Sequence, residues 1–189
     1  MNISKLFVVL YWAWISSEVL LQLVTRTTRR SGTIKDRGSL PLLLLAIFGS
    51  IWAASWYADT HAHTMLGGAQ WLKTLALVLM IAGLAIRWTA ILTLGLSFST
   101  NVAIHATQTL RKTGLFRWVR HPSYTGMLLS FAAIGIYARN WVSLALVLIF
   151  PTAALIYRIH VEEMALTQAF GEDYVVYSRT TRRLFPGLY

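Results

Sequence analysis

The sequence has no cysteine among its 189 residues, which excludes disulfides, thiolate metal sites and cysteine nucleophiles and leaves the redox compartment unmarked. Acidic residues are scarce as well: seven Asp and Glu stand against 17 Lys and Arg, a formal net charge of +10. Charged residues of both signs make up only 13% of the chain, while 56% is hydrophobic and the mean hydropathy is +0.56. A soluble domain of this length has too little interior to hide that much apolar surface. The few charges gather in short stretches between long apolar runs, the pattern of a chain whose main solvent is lipid. The same distribution argues against nucleic acid as a partner, since the basic residues mark junctions between apolar runs and form no continuous stripe. No internal repeat or low-complexity segment is evident, and the chain reads as one membrane domain over residues 1–189.

A helix of about 20 mostly apolar residues crosses the hydrocarbon core. Five stretches qualify: 6–24, 40–58, 71–96, 122–137 and 141–157. The predicted fold is therefore all-α and integral to the membrane, with three N-terminal spans in residues 1–96 and two further spans and a tail in residues 97–189. Only Ala138, Arg139 and Asn140 separate the last two spans, which forces an antiparallel helical hairpin. Pro151 removes one backbone donor and should bend the fifth span. The first run has only Lys5 ahead of it, contains Glu18 and lacks a small-residue cleavage site, so it reads as a retained span and not a cleaved signal.

Lys and Arg near span ends stay on the cytoplasmic side. Segment 25–39 holds Arg26, Arg29, Arg30, Lys35 and Arg37; segment 97–121 holds Arg111, Lys112, Arg117 and Arg120; the tail holds Arg158, Arg179, Arg182 and Arg183. These alternate correctly for five spans with the N-terminus outside and the C-terminus cytosolic. Trp12, Trp14, Trp52, Trp56, Trp71, Trp88, Trp118 and Trp141 fall largely toward span ends, as an interfacial aromatic belt does.

Candidate chemistry lies in the C-terminal half. Arg120 and His121 immediately precede Pro122, a residue favoured at the first position of a helix, where backbone donors lack partners and attract anions. His121 and Tyr124 add side-chain hydrogen bonders there, and Gly126 leaves room for a ligand or another backbone. Where the fifth span ends, Arg158 and Glu162 are four apart on one helical face, in the order that makes the weaker surface ion pair, which favours a separate ligand for each. Gly171 suits a helix stop before Glu172, Asp173, Tyr174 and Tyr177. Any single one of these cations or aromatics is more often a snorkelling or interfacial anchor, and a glutamate pair at a membrane exit is commonly solvated. Their concentration at one end of a tight hairpin favours a site.

The run Arg120-His121-Pro122-Ser123-Tyr124-x-Gly126 is followed by Arg158-x-x-x-Glu162-Glu163-x-x-Leu166-x-x-x-Phe170-Gly171-x-x-Tyr174-x-x-Tyr177 and by Thr181-x-Arg183-Leu184-x-Pro186. Over residues 97–187 this resembles the isoprenylcysteine carboxyl methyltransferase family. The resemblance implies a pocket for S-adenosylmethionine formed by the last two spans and the tail, entered by cofactor from the cytosol, with a lipophilic or prenylated acceptor arriving from the bilayer. It implies that His121, Pro122, Ser123, Tyr124 and Glu162 contact the cofactor, that Gln108, Thr109, Leu110 and Arg111 line its site partly through backbone groups, and that Arg158 meets the acceptor carboxylate. Phe116, also assigned to the cofactor site, stands where the family usually has tyrosine; Gln108 replaces a common histidine and Leu115 a common proline. Methyl transfer from a sulfonium to an ionised carboxylate needs orientation and no general base. Arg158 is suited to grip that carboxylate in bidentate fashion, and Glu162 to hydrogen-bond the cofactor or favour its positive charge.

Two enzymatic rivals share features with this reading: a phospholipid N-methyltransferase, which would present an amine, and an NADPH-dependent reductase of the sterol type, similar around His-Pro-x-Tyr. A non-catalytic transporter subunit or scaffold is a third. Asp59, His61 and His63 alternate as metal ligands in an extended loop would, but lack a fourth ligand and lie on the outer side, so no metal is assigned. Arg87 within the third span is expected to face a cavity or a partner, with Glu18 as the candidate, or else to snorkel. Oligomeric state is left open.

Overall fold

The computed structural model describes residues 2–25, 33–61, 70–104 and 108–187. These contain α1 (Ile3–Val24), α2 (Ser39–Thr60), α3 (Gln70–Leu94), α4 (Pro122–Tyr137), α5 (Trp141–Phe170) and α6 (Glu172–Thr180). A short antiparallel pair, β1 (Thr33–Ile34) against β2 (Ala103–Ile104), ties the segment before α2 to the segment after α3, with Thr33 opposite Ile104.

Local chemistry sets the helix starts. The Asp36 carboxylate accepts from the Leu40 amide at 3.0 Å and from the Ser39 hydroxyl at 2.9 Å, closing the first turn of α2. Pro122 opens α4 as its missing N–H predicts. Buried Asn140 caps α5 by accepting from the amides of Val142 and Ser143 at 3.0 and 3.1 Å. Gly171, at φ +55°, ends α5 and begins α6.

Among the described residues, four helices are long and apolar enough to cross a membrane: α1, α2, α3 with its continuing 3₁₀ turn, and α5. The fourth predicted span is the exception. α4 has the expected bounds, but 16 residues extend only about 24 Å at 1.5 Å per residue, short of the roughly 30 Å hydrocarbon core. It packs between α3 and α5 and is buried on most of its surface, so neighbouring helices supply its surroundings. The predicted fifth span and the helix beyond it form one continuous 30-residue α5 with Pro151 inside.

The crossing of α3 and α4 is decided by two glycines. A Cβ on Gly83 would lie 2.7 Å from the Gly126 carbonyl oxygen, and one on Gly126 would lie 2.6 Å from the Gly83 carbonyl oxygen. The space at Gly126 is therefore used by another backbone, as in small-residue helix contacts within membranes. The central core gathers Trp14, Leu43, Ile47, Phe131, Leu155 and Ile159 from four helices. Trp14 thereby departs from the predicted belt: it is buried, edge-on to Phe131 at 5.8 Å, whereas Trp12, Trp52, Trp56, Trp71, Trp118 and Trp141 are exposed.

Candidate active site

Two cavities meet near the end of the bundle that carries the tail. The first, with about 910 Å³ of empty space, is lined by every site residue predicted from the sequence: Gln108, Thr109, Leu110, Arg111, Phe116, His121, Pro122, Ser123, Tyr124, Arg158 and Glu162. The second, about 980 Å³, lies among α1, α2 and α4 and is mainly apolar, with Leu40, Leu43, Ile47 and Phe48 in its wall. Tyr124 and Arg158 line both.

These two side chains and Glu162 form a relay across the shared wall. The Tyr124 hydroxyl donates to Glu162 Oε2 at 2.7 Å and accepts from Arg158 Nε at 3.0 Å. Tyr124 thus stands between the two charges that the sequence set on one face of α5. Its ring stacks on His121, with centroids 5.5 Å apart and planes 7° from parallel. The rest of the Arg158 guanidinium is also engaged: Nη1 donates to Asp36 Oδ1 and to Ser39 Oγ, both at 3.0 Å, and Nη2 donates to the Thr100 carbonyl at 2.6 Å.

Asp36 accepts from four groups in all, since the Val102 amide joins Leu40, Ser39 and Arg158 at 3.2 Å. Burial pushes its carboxyl up, but the backbone amides, Ser39 and Arg158 outweigh burial and hold it below its ordinary value.

Glu163 points away from the cavity relay and pins the tail. Arg120 Nε donates to Glu163 Oε1 at 2.9 Å, and Arg183 donates to Glu163 Oε2 through Nε at 3.0 Å and Nη2 at 2.8 Å. His121 Nε2 lies 3.5 Å from Glu163 Oε1. Arg120 also binds the carbonyls of Ser178, at 2.7 Å, and Thr181. The amides of Arg120 and His121 donate to the carbonyls of Arg182 and Arg183 at 2.7 and 2.9 Å, so the tail straps the start of α4. The adjacent glutamates therefore do different work: Glu162 faces the cavity, while Glu163 is a half-buried anchor held by two arginines. Arg120 is likewise structural.

The first cavity combines aromatic and apolar walls with a few converging polar groups, the make-up of a small-molecule site. Its wall offers the Glu162 carboxylate, aromatic faces and the hydroxyl of Tyr174, a buried group with no hydrogen-bond partner in the described structure. Burial raises the Tyr174 phenol above its ordinary value. Burial also pushes the Tyr177 phenol up to about 12, against the lowering pull of Arg120. Tyr177 donates to the Phe116 carbonyl at 2.6 Å, which fixes the 3₁₀ turn Gly114–Arg117 beneath α6.

Arg87 finds the partner foreseen for it. Its Nε and Nη2 fork onto the two Glu18 carboxylate oxygens across α3 and α1, and Nη1 donates to the Ser123 hydroxyl at 2.7 Å. Both charges border the apolar cavity. Of the alternating residues Asp59, His61 and His63, His61 stacks on Tyr57 with ring centroids 4.1 Å apart, and His63 lies outside the described residues.

Sequence reasoning missed Asp36, Ser39, Thr100 and Tyr174 as site residues. The segment holding Asp36 was read only for its cations; an acid placed between Lys35 and Arg37 is the sole local signal. Tyr174 was visible in the motif, but without a role.

Comparison with known proteins agrees with this fold. Residues 75–168 match the model of the isoprenylcysteine carboxyl methyltransferase (ICMT) family. Protein-S-isoprenylcysteine O-methyltransferase A of Arabidopsis thaliana is 32% identical over 112 residues, which cover 58% of this chain and 57% of that protein. The Xenopus laevis protein-S-isoprenylcysteine O-methyltransferase is 30% identical over 123 residues, covering 64% of this chain and 43% of that one. The chain thus spans about half the length of the curated relatives it matches. A solved structure of the eukaryotic intramembrane Ras methyltransferase ICMT superposes with a TM-score of 0.66 at 26% identity, over 78% of this chain and 53% of that one. With the family match over residues 75–168 and the fold in agreement, the chain belongs to the isoprenylcysteine carboxyl methyltransferase family.

Proposed function

We propose that this protein transfers a methyl group from S-adenosylmethionine to the carboxylate of an isoprenylcysteine-like lipid at the cytosolic face of a membrane. The observation that carries the proposal is the wall of Tyr124 and Arg158 between a cavity of mixed polar and aromatic lining and a mainly apolar one. When bound, S-adenosylmethionine supplies an electrophilic methyl carbon on a sulfonium. The residues suited to hold it are Glu162, His121 to Tyr124, Phe116, the stretch Gln108 to Arg111, and Tyr174, whose free hydroxyl gains a partner. The apolar cavity suits an isoprenoid chain, and Arg158 at its end suits a carboxylate.

Each residue's contribution follows from its chemistry. Arg158 orients the acceptor oxygen and stabilises its charge until the bond forms; in a poorly solvated site that attraction is stronger than in water. Glu162 favours positive charge on the opposite side of Tyr124. Esterification removes the acceptor's charge and with it the attraction to Arg158, so the product is released toward lipid. Asp36, Glu162 and Glu163 have their carboxyl groups committed to hydrogen bonds or ion pairs, consistent with a reaction that requires no general base.

Five spans with the N-terminus outside complete the proposal, α4 being the short fourth one. Three basic segments converge at one end of the bundle: β1 pairs with β2, Arg158 meets Asp36, and the tail pairs with residues 119–121. At the other end Asn140 donates to the His61 carbonyl at 3.3 Å. This division supports a cytosolic basic face and a cytosolic C-terminus.

The test is calorimetric binding of S-adenosylmethionine, S-adenosylhomocysteine and NADPH to purified protein, followed by methyl transfer to an S-prenylated cysteine with a free carboxylate and to an ethanolamine-headed lipid. Binding of the first two ligands, weakened by Glu162→Ala and His121→Ala, with transfer to the carboxylate, is expected. Binding of NADPH alone would replace the proposal with a reductase, and transfer to the amine with an N-methyltransferase.

A further inference from the structure

The Arg158 guanidinium is held from one end. Its Nη1 is shared by Asp36 Oδ1 and Ser39 Oγ, each 3.0 Å away, and neither residue lines the first cavity. The opposite edge, formed by Nε and Nη2, faces Tyr124 Oη and the Thr100 carbonyl. In an arginine this edge carries two parallel N–H bonds and forks onto a carboxylate. The molecule contains an example of its own, since Arg87 grips both oxygens of Glu18 through Nε and Nη2.

We propose that Asp36 is a positioning residue for the reaction: it anchors Nη1 and thereby aims the forked edge of Arg158 at the acceptor. Asp36 suits this task because it is itself immobilised. Amides from two segments, Leu40 at the start of α2 and Val102 beside β2, fix its carboxylate at 3.0 and 3.2 Å. The Lys35 amide donates to the Val102 carbonyl at 2.8 Å, so the pairing of the two loops continues to the residue next to Asp36. An arginine side chain loses much rotamer freedom when ordered, and a pre-ordered one binds its ligand without that cost. The α1–α2 connection, read from the sequence as a topological signal, thereby becomes part of the catalytic apparatus. With Nη1 occupied by Asp36, an acceptor carboxylate is directed to the Nε–Nη2 edge, where it would displace Tyr124 Oη and the Thr100 carbonyl.

This inference rests on the proposed methyl transfer for its kinetic consequence, but the position of Arg158 is tested without turnover. Phenylglyoxal labels accessible guanidinium groups, and peptide mass spectrometry reads the label at Arg158 in the intact, detergent-solubilised protein. Arg158 is 3% exposed and is expected to react slowly in the wild type. Asp36→Ala and Asp36→Asn, the latter keeping volume and one acceptor oxygen, are expected to raise its labelling rate at least fivefold. In methylation assays the same variants are expected to raise the KM for the prenylated acceptor about tenfold, with S-adenosylhomocysteine affinity changed less than twofold. Unchanged labelling in both folded variants would overturn the inference, as would a parallel loss of cofactor affinity, which marks general disruption. If the wild type binds S-adenosylhomocysteine yet methylates no prenylated carboxylate, the functional proposal falls while the labelling result still decides whether Asp36 positions Arg158.

Discussion

Replacing Glu18 by Gln leaves the Arg87 guanidinium within α3 without its counter-charge. Side-chain exposure is 6% for Arg87 and 21% for Glu18, so water compensates little on the arginine side. Breaking a buried ion pair by removing one partner costs about 3–5 kcal/mol. Here Ser123 Oγ remains bonded to Nη1 at 2.7 Å, and a Gln carbonyl still accepts one hydrogen bond, which brings the expected loss to about 2–3 kcal/mol. Glu18→Leu combined with Arg87→Met should be milder, within about 1 kcal/mol of wild type, because both desolvation penalties vanish together with the attraction. The assay is reversible unfolding in detergent, followed by intrinsic tryptophan fluorescence, on wild type, Glu18→Gln, the single variants Glu18→Leu and Arg87→Met, and their double variant. Equal stability of Glu18→Gln and wild type would show that the pair is solvated. A double variant weaker than either single one would show that Arg87 acts through Ser123 and not through Glu18.

Gly126→Ala should lower the unfolding midpoint by about 1–3 kcal/mol equivalent, the usual cost of overpacking, since the new Cβ would meet the Gly83 carbonyl oxygen at 2.6 Å and the Arg87 amide nitrogen at 2.8 Å, both backbone atoms; thermal unfolding checks this. Glu163→Gln is expected to free the tail from Arg120 and Arg183 and to increase proteolysis after residue 180, with peptide mapping as the readout. Asp36, held below its ordinary value of 3.8, contributes stability that is present above that pH and lost as pH falls through its lower folded value. The stability gap between wild type and Asp36→Asn should therefore narrow below pH 4, measured as unfolding midpoints from pH 6 downward.

The helices were legible because lipid imposes a length rule on apolar runs and because the start of α4 carries its own signal at Pro122. The site residues of the C-terminal half were legible for a related reason: they cluster within short motifs on α4 and α5, so family resemblance and helical spacing reach them together. Asp36 was not, since its partner Arg158 is 122 positions away and no local period connects them. Trp14 was misassigned because an indole near a span end looks alike whether it faces headgroups or a neighbouring helix; only the position of Phe131 distinguishes the two. The shortness of α4 as a span was a question of neighbours, which composition cannot supply. α6 escaped notice because nine residues with Glu172 and Asp173 in the first turn read as the polar end of a helix stop.

The single helix α5 carries Arg158, Glu162 and Glu163 beyond Pro151, on the same uninterrupted segment. Those residues lie roughly 10–18 Å along the axis from the proline at 1.5 Å per residue. A change of about 5° in the bend at Pro151, the natural place for one, would swing all three by about 1–1.5 Å together. The stem below the proline is in lipid, and its tilt responds to bilayer thickness. α5 is in this sense a lever whose fulcrum is Pro151: a change in its bend would shift Arg158 and Glu162 against Tyr124, and Glu163 against Arg120 and Arg183, in one motion.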